Sequence, residues 1–96
     1  MRYRIVYSPR SQRDLENIRA WIAVESESPA IATRFIGEVF DACDSLRTLP
    51  ERFAAYPRAR HWRMMPHGSY LVFFQVHAGE VRIGHIRHGA RMPFGG

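Results

Sequence analysis

The sequence predicts an α+β fold in which a helical hairpin packs on one face of a mainly antiparallel four-stranded sheet. Three observations lead to this prediction. Segments with a two-residue apolar period stand near both ends of the chain. Two segments with a helical period lie between them, and each begins at a Ser-Pro pair. Tight-turn signals separate the last three strand-like runs, which indicates an antiparallel meander.

Two amphipathic helices are predicted after a first strand that covers Arg2 to Tyr7. Each helix begins where a serine hydroxyl can cap the first turn and proline can occupy the first helical position, at Ser8-Pro9 and at Ser28-Pro29. The first helix ends in the polar stretch 25–28, and the second stops before Pro50. The short polar connection between them makes an antiparallel hairpin.

Three strands are predicted in the second half of the chain. They cover His61 to Met65, Ser69 to His77 and Glu80 to Arg87. The middle run is apolar on both faces and is therefore the central strand, whereas Arg63 and Arg82 indicate that its neighbours expose one face. Glu51 to Ala59 has no clear period and is expected to be a loop, partly ordered by Phe53 and Tyr56.

The composition bounds the size and charge of the molecule. Its 96 residues suit a single domain, 1–96, and 14 basic residues against 9 acidic ones give a net charge of +5. All the basic residues are arginine. The planar arginine fork suits carboxylates and phosphates, so acidic proteins or nucleic acid are the expected partners. A GC-rich genome is an alternative origin of this bias, and in either case lysine is excluded as a general base.

The positions of cysteine and histidine argue against a disulfide and against a metal site. The single cysteine, Cys43, cannot form an internal disulfide and lies on the apolar stripe of the second helix, which predicts core packing. His85 and His88 are three residues apart on a predicted strand and so point to opposite faces, and we expect no metal site. No run is apolar enough for a signal peptide or a membrane span. We therefore expect a cytoplasmic protein without a cofactor or membrane contact.

The order and spacing of several short features resemble the RelE/ParE superfamily of type II toxin–antitoxin toxins, and its ParE-like branch in particular. The features are the opening Tyr3 to Pro9, Asp14-Leu15, Ile18, Ala32, Phe35-Ile36, Leu49-Pro50, Tyr70 to Phe74, and His88 to Arg91. This resemblance spans nearly the whole chain and implies the βααβββ element order.

The resemblance implies one of two toxic activities. RelE-like proteins cut messenger RNA in the ribosomal A site, which requires a base, an acid and a cation, whereas ParE-like proteins inhibit DNA gyrase. The lysines often used by the nucleases are absent, and Phe94 stands where they tend to have a tyrosine near the C-terminus. We therefore expect a gyrase inhibitor that arrests growth and has no catalytic residues. The alternative is a ribosome-dependent endonuclease using His88, Arg91, Arg60 and Arg63. A third class is an inactive relative that only binds antitoxin or operator DNA.

Candidate contact residues come from the arginine cluster before and within the second strand, from Trp62 beside it and, for the segment His88 to Arg91, from the resemblance. Target binding is assigned to Arg58, Arg60, Trp62, Arg63, Arg87, His88 and Arg91. Antitoxin binding is assigned to Trp21, Phe53 and Tyr56. The resemblance implies a ParD-like antitoxin, acidic and folding as it binds over the hairpin and the sheet edge, in a hetero-oligomer. Core packing for Trp21, and an ordinary solvated edge for Arg58, Arg60 and Arg63, remain as structural alternatives.

Overall fold

The computed structural model describes residues 2–90 in full and the backbone of Arg91. Five strands and two helices follow one another along the chain. They are β1 (Arg4–Tyr7), α1 (Pro9–Ser26), α2 (Pro29–Asp44), β2 (Ala55–Tyr56), β3 (Ala59–His67), β4 (Tyr70–His77) and β5 (Glu80–His88). Short 3-10 turns lie at Ser45–Arg47, Pro50–Arg52 and Gly89–Arg91.

The sheet has the order β1-β5-β4-β3-β2, and its pairs are antiparallel except for the parallel pair of β1 with β5. The prediction of a mainly antiparallel sheet beneath a helical hairpin is confirmed, but the strand count of four was wrong. The fifth strand, β2, lies in the segment expected to be a loop. Two residues are too few to show a two-residue period, which is why the sequence did not predict β2. The strand forms because β3 offers it a hydrogen-bonding partner.

Both helices start at the serines that the sequence indicated. The Ser8 hydroxyl accepts a hydrogen bond from the Ser11 N–H at 3.0 Å, and the Ser28 hydroxyl accepts one from the Ile31 N–H at 3.2 Å. Each bond satisfies a backbone donor that has no partner inside its helix. The α-helical part of the second helix is shorter than expected, since it ends at Asp44 and continues only as a 3-10 turn.

The main core lies between the hairpin and one face of the sheet. Its buried members are Leu15, Ile18, Val39, Cys43, Leu46, Met65, Tyr70, Val72, Phe74, Val81, Ile83 and Ile86. Burying each large apolar side chain contributes roughly 1.5–3 kcal/mol. Cys43 is fully buried here, which confirms core packing for the thiol.

The opposite surface of the sheet, named here the outer face, carries a second and smaller apolar cluster. Phe73 is fully buried although its neighbours Val72 and Phe74 point into the main core, so its ring lies on the outer face. Tyr56 of β2 meets that ring edge-on at 5.1 Å between centroids. The short strand therefore shields Phe73 from water.

Candidate functional site

Helix α1 takes the place of β1 alongside the second half of β5. The parallel pair ends at Tyr7 and Ile83, and Ser8 then donates its N–H to the Ile83 carbonyl at 2.9 Å. The Ser8 hydroxyl also donates to the Gly84 carbonyl at 2.9 Å. Six residues after Ser8, a carboxylate oxygen of Asp14 accepts the Ile86 N–H at 3.0 Å. Ser8 and Asp14 thus provide hydrogen-bond partners for backbone groups of β5 where no neighbouring strand does so.

A groove of about 330 Å³ opens between α1 and this part of β5, and we name it the α1–β5 groove. Its lining is polar and aromatic above a buried aliphatic floor. The lining residues are Arg10, Asp14, Asn17, Ile18, Trp21, Tyr70, Ile86, Arg87 and His88. This volume is at the lower end of the roughly 300–1,000 Å³ typical of ligand sites.

Positive charge dominates this groove. The other Asp14 oxygen pairs with Arg10 at 3.4 Å, so both oxygens of the only lining carboxylate are engaged. Arg87 forms no ion pair with any residue between 2 and 90. Burial lowers the pKa of nearby His85, the charge of Arg10 lowers it further, Asp14 raises it, and Arg87 makes a smaller lowering contribution. Two arginines against one engaged carboxylate favour an anion in the groove.

His88 stands at the far end of the groove in a fixed orientation. Its Nδ1 accepts a hydrogen bond from the Ala90 N–H at 3.1 Å, so the proton of the neutral ring is on Nε2. Its ring meets Tyr70 edge-on at 5.2 Å between centroids. Nε2 can therefore donate a hydrogen bond to a ligand.

Sequence-predicted residues of both classes meet in this groove. Arg87 and His88, assigned to the target, line the same groove as Trp21, assigned to the antitoxin, whose side chain is 46% exposed. The side chain of Arg91 and the position of Phe94 lie outside the described residues.

The arginines of β3 are far from the groove. In the sheet, Tyr70 of β4 is paired with His88 of β5 on one side and with His67 of β3 on the other, so His67 marks the level of His88 on β3. Arg60 lies seven residues from His67 along β3. At 3.3 Å per residue this displacement is about 23 Å, and β4 also separates the two strands. The residues suggested for a nuclease, His88 with Arg60 and Arg63, are therefore not brought together.

Arg60 and Arg63 also differ in their surroundings, since Arg60 is exposed and Arg63 is partly buried. Arg63 donates hydrogen bonds to the carbonyls of Glu51 and Phe53 at 3.3 and 2.7 Å, which holds the segment before β2. Arg58 and Arg60 are exposed at the end of the sheet remote from His88.

The antitoxin residues suggested by sequence do not share one surface. Phe53 packs edge-on against Phe74 of the main core, with the Arg52 guanidinium over its ring at 4.7 Å. Tyr56 lies on the outer face, and Trp21 lies beside β5.

A second groove was missed by sequence reasoning. It has a volume of about 670 Å³ between the hairpin and β1, and we name it the hairpin groove. It is lined by Ile5, Val6, Tyr7, Gln12, Leu15, Glu16, Arg19, Ile36 and Phe40. Phe40 is 43% exposed and directly follows Val39 of the buried stripe of α2. A large apolar residue beside that stripe was the signal in the sequence that could have indicated this groove. β1 is an edge strand, so backbone groups border this groove.

Trp62 packs across the outer face onto the backbone of β5. A Cβ atom added to Gly84 would overlap the Cη2 and Cζ3 atoms of Trp62. The indole also meets His85 edge-on at 5.4 Å between centroids. Glycine at position 84 is thus required by the close approach of the ring.

Within residues 2–91, no group of three or more histidine, cysteine, aspartate or glutamate side chains could hold a metal ion. No helix in that range is long and apolar enough to cross a membrane.

Comparison with known proteins agrees with this architecture. The family model described as the ParE toxin of the type II toxin–antitoxin system parDE matches residues 5–93. A solved structure described as the chromosomal ParDE toxin–antitoxin system from P. aeruginosa superposes with a TM-score of 0.80 at 17% identity, covering 90% of this chain and 95% of that chain. No curated protein sequence matches. Because the family model spans nearly the whole chain, the protein belongs to the ParE toxin family of type II toxin–antitoxin systems.

Proposed function

We propose that this protein is a toxin that inhibits DNA gyrase without catalytic turnover and is neutralised by direct binding of a cognate, ParD-like antitoxin. The observation that carries the proposal is the match to the ParE toxin family over residues 5–93. The separation of His88 from Arg60 and Arg63 counts against the nuclease alternative that combined them, because RNA cleavage needs an acid, a base and a cation around one phosphate.

Gyrase binding is assigned to two basic regions at opposite ends of the sheet. One comprises Arg58, Arg60 and Trp62, and the other comprises Arg87, His88 and the position of Arg91. Arginine and tryptophan are the residue types that most often dominate the energy of protein interfaces. Arg63 is a weaker candidate than the others because its guanidinium is already bonded to two carbonyls.

Antitoxin binding is assigned to the hairpin groove, with Trp21 as a separate contact. The groove offers apolar side chains, including exposed Phe40 and Val6, to the apolar side of an amphipathic segment. Arg19 lines the groove and is paired with Glu16 at 2.7 Å, so an acidic residue of the partner would share or replace that pair. The open edge of β1 can add a strand from the antitoxin. The resulting complex is a toxin–antitoxin hetero-oligomer.

The test is supercoiling of relaxed plasmid by purified gyrase, with the protein alone and then with its antitoxin. We expect inhibition that the antitoxin reverses. Normal supercoiling in the presence of folded protein that stops growth would overturn the proposal and favour mRNA cleavage on the ribosome. Induction without any effect on growth would indicate an inactive relative that binds only antitoxin or operator DNA.

A further inference from the structure

The two grooves differ in chemistry as well as in place. Aliphatic side chains such as Ile5, Leu15 and Ile36 line the hairpin groove and suit an amphipathic peptide. Apart from Asp14, whose two oxygens are already engaged, the accessible lining of the α1–β5 groove consists instead of arginine, asparagine, histidine and tryptophan. These side chains stack on planar rings or donate hydrogen bonds, and they offer little to an aliphatic partner.

The side chains follow a definite order along the α1–β5 groove. Arg10 lies near its beginning, and Trp21 follows eleven residues later, roughly 16 Å along α1 at 1.5 Å per residue. β5 runs in the same direction as α1, since Gly84 bonds to Ser8 and Ile86, two residues later, bonds to Asp14. Arg87 and then His88 follow along β5. Arg10 therefore lies towards one end of the groove, and Arg87 lies directly before His88 towards the aromatic end.

This order matches a single nucleic-acid strand. Single-strand sites combine cations that follow the phosphates with aromatic rings on which bases stack. A separated strand can offer an unstacked base to Trp21, whereas the bases of a duplex remain stacked on one another. The span of about 16 Å between Arg10 and Trp21 requires more than one nucleotide.

We propose that the α1–β5 groove binds a single strand of nucleic acid, with phosphate between Arg10 and Arg87 and a base against Trp21. Asn17 and the His88 Nε2 proton face the bound strand as hydrogen-bonding groups. This binding needs neither gyrase nor antitoxin, so it goes beyond the proposed function and can fail without it.

The experiment measures fluorescence anisotropy of a labelled twelve-nucleotide DNA strand with the purified full chain at low salt. Arg87→Ala and Trp21→Ala are each expected to weaken binding about tenfold, as the loss of one stacked base or one phosphate contact would. Arg34→Ala is the matched control, because it removes the same charge from a side chain that is 83% exposed on α2. It is expected to change the affinity less than twofold.

A second readout isolates Trp21. The chain has two tryptophans, so Trp62→Phe leaves Trp21 as the only indole. The strand is expected to quench its fluorescence, and a blunt duplex or a glutamate-rich peptide of equal charge is not. Equal affinity of the three alanine variants, or equal quenching by the peptide, would overturn the inference. Absent strand binding alongside normal gyrase inhibition would also overturn it, while leaving the proposed function intact.

Discussion

Gly84 and Trp62 show how a single position can fix the outer face. Because a Cβ at residue 84 would overlap the indole, Gly84→Ala is expected to displace Trp62 and destabilise the fold by about 1–3 kcal/mol. Trp62→Phe in the same chain removes the overlapping ring and should recover part of that loss. Denaturant unfolding of the two single variants and the double variant measures this coupling. Strictly additive effects would contradict it.

Cys43 and Tyr7 are expected to make the free energy of unfolding fall as the pH rises in the alkaline range. Burial raises the pKa of the Cys43 thiol from 9.0 to about 11, and burial, followed by the neighbouring Cys43, raises the pKa of Tyr7. Between pH 9 and 11 the unfolded chain therefore holds fewer protons than the folded one, so stability falls as pH rises. Denaturant unfolding at several pH values should show this fall, and Cys43→Ala should flatten it. An equally steep fall in Cys43→Ala would assign the dependence to other groups.

At the scale of elements, the two helix caps are alike locally but differ in their tertiary bonds. The Ser8 hydroxyl caps α1 and also donates to the Gly84 carbonyl of β5, whereas the Ser28 hydroxyl caps only α2. Ser28→Ala is expected to cost about 1 kcal/mol and Ser8→Ala about 2 kcal/mol. Thermal unfolding of both variants compares them directly. An equal loss would mean that the bond to β5 contributes nothing to stability.

The elements also show what the sequence could and could not predict. Capping by Ser8 and Ser28 is a local interaction, so both helix starts were predicted correctly. The parallel pairing of β1 with β5 joins residues more than 70 positions apart, and no local pattern specifies it. The β2 strand depends on a partner in the same way.

The candidate site was predicted only in part for a related reason. The sequence identified Arg87, His88 and Trp21, but their meeting depends on α1 lying beside β5. The irregular pairing of β2 with β3 beside Arg60 and Arg63 is likewise not specified by a local pattern.

At the scale of the whole molecule, separate grooves make neutralisation separable from toxicity. Phe40→Asp places a charge in the hairpin groove, away from the residues assigned to gyrase. It is expected to weaken antitoxin binding about tenfold to a hundredfold, or roughly 1.4–2.8 kcal/mol, while gyrase inhibition persists. Ile31→Asp is the control, since Ile31 is 52% exposed on α2 and does not line that groove. Titration calorimetry compares the variants, and equal antitoxin affinity for all would exclude the hairpin groove.

The central claim, poisoning of gyrase, is tested most directly by the linear DNA that gyrase releases. Supercoiled plasmid is incubated with gyrase, ATP and this protein, then denatured and digested with protease to free any cleaved strands. The account predicts linear plasmid that increases with the amount of protein and disappears when antitoxin is added first. Folded, growth-arresting protein that yields no linear plasmid at any concentration would contradict it.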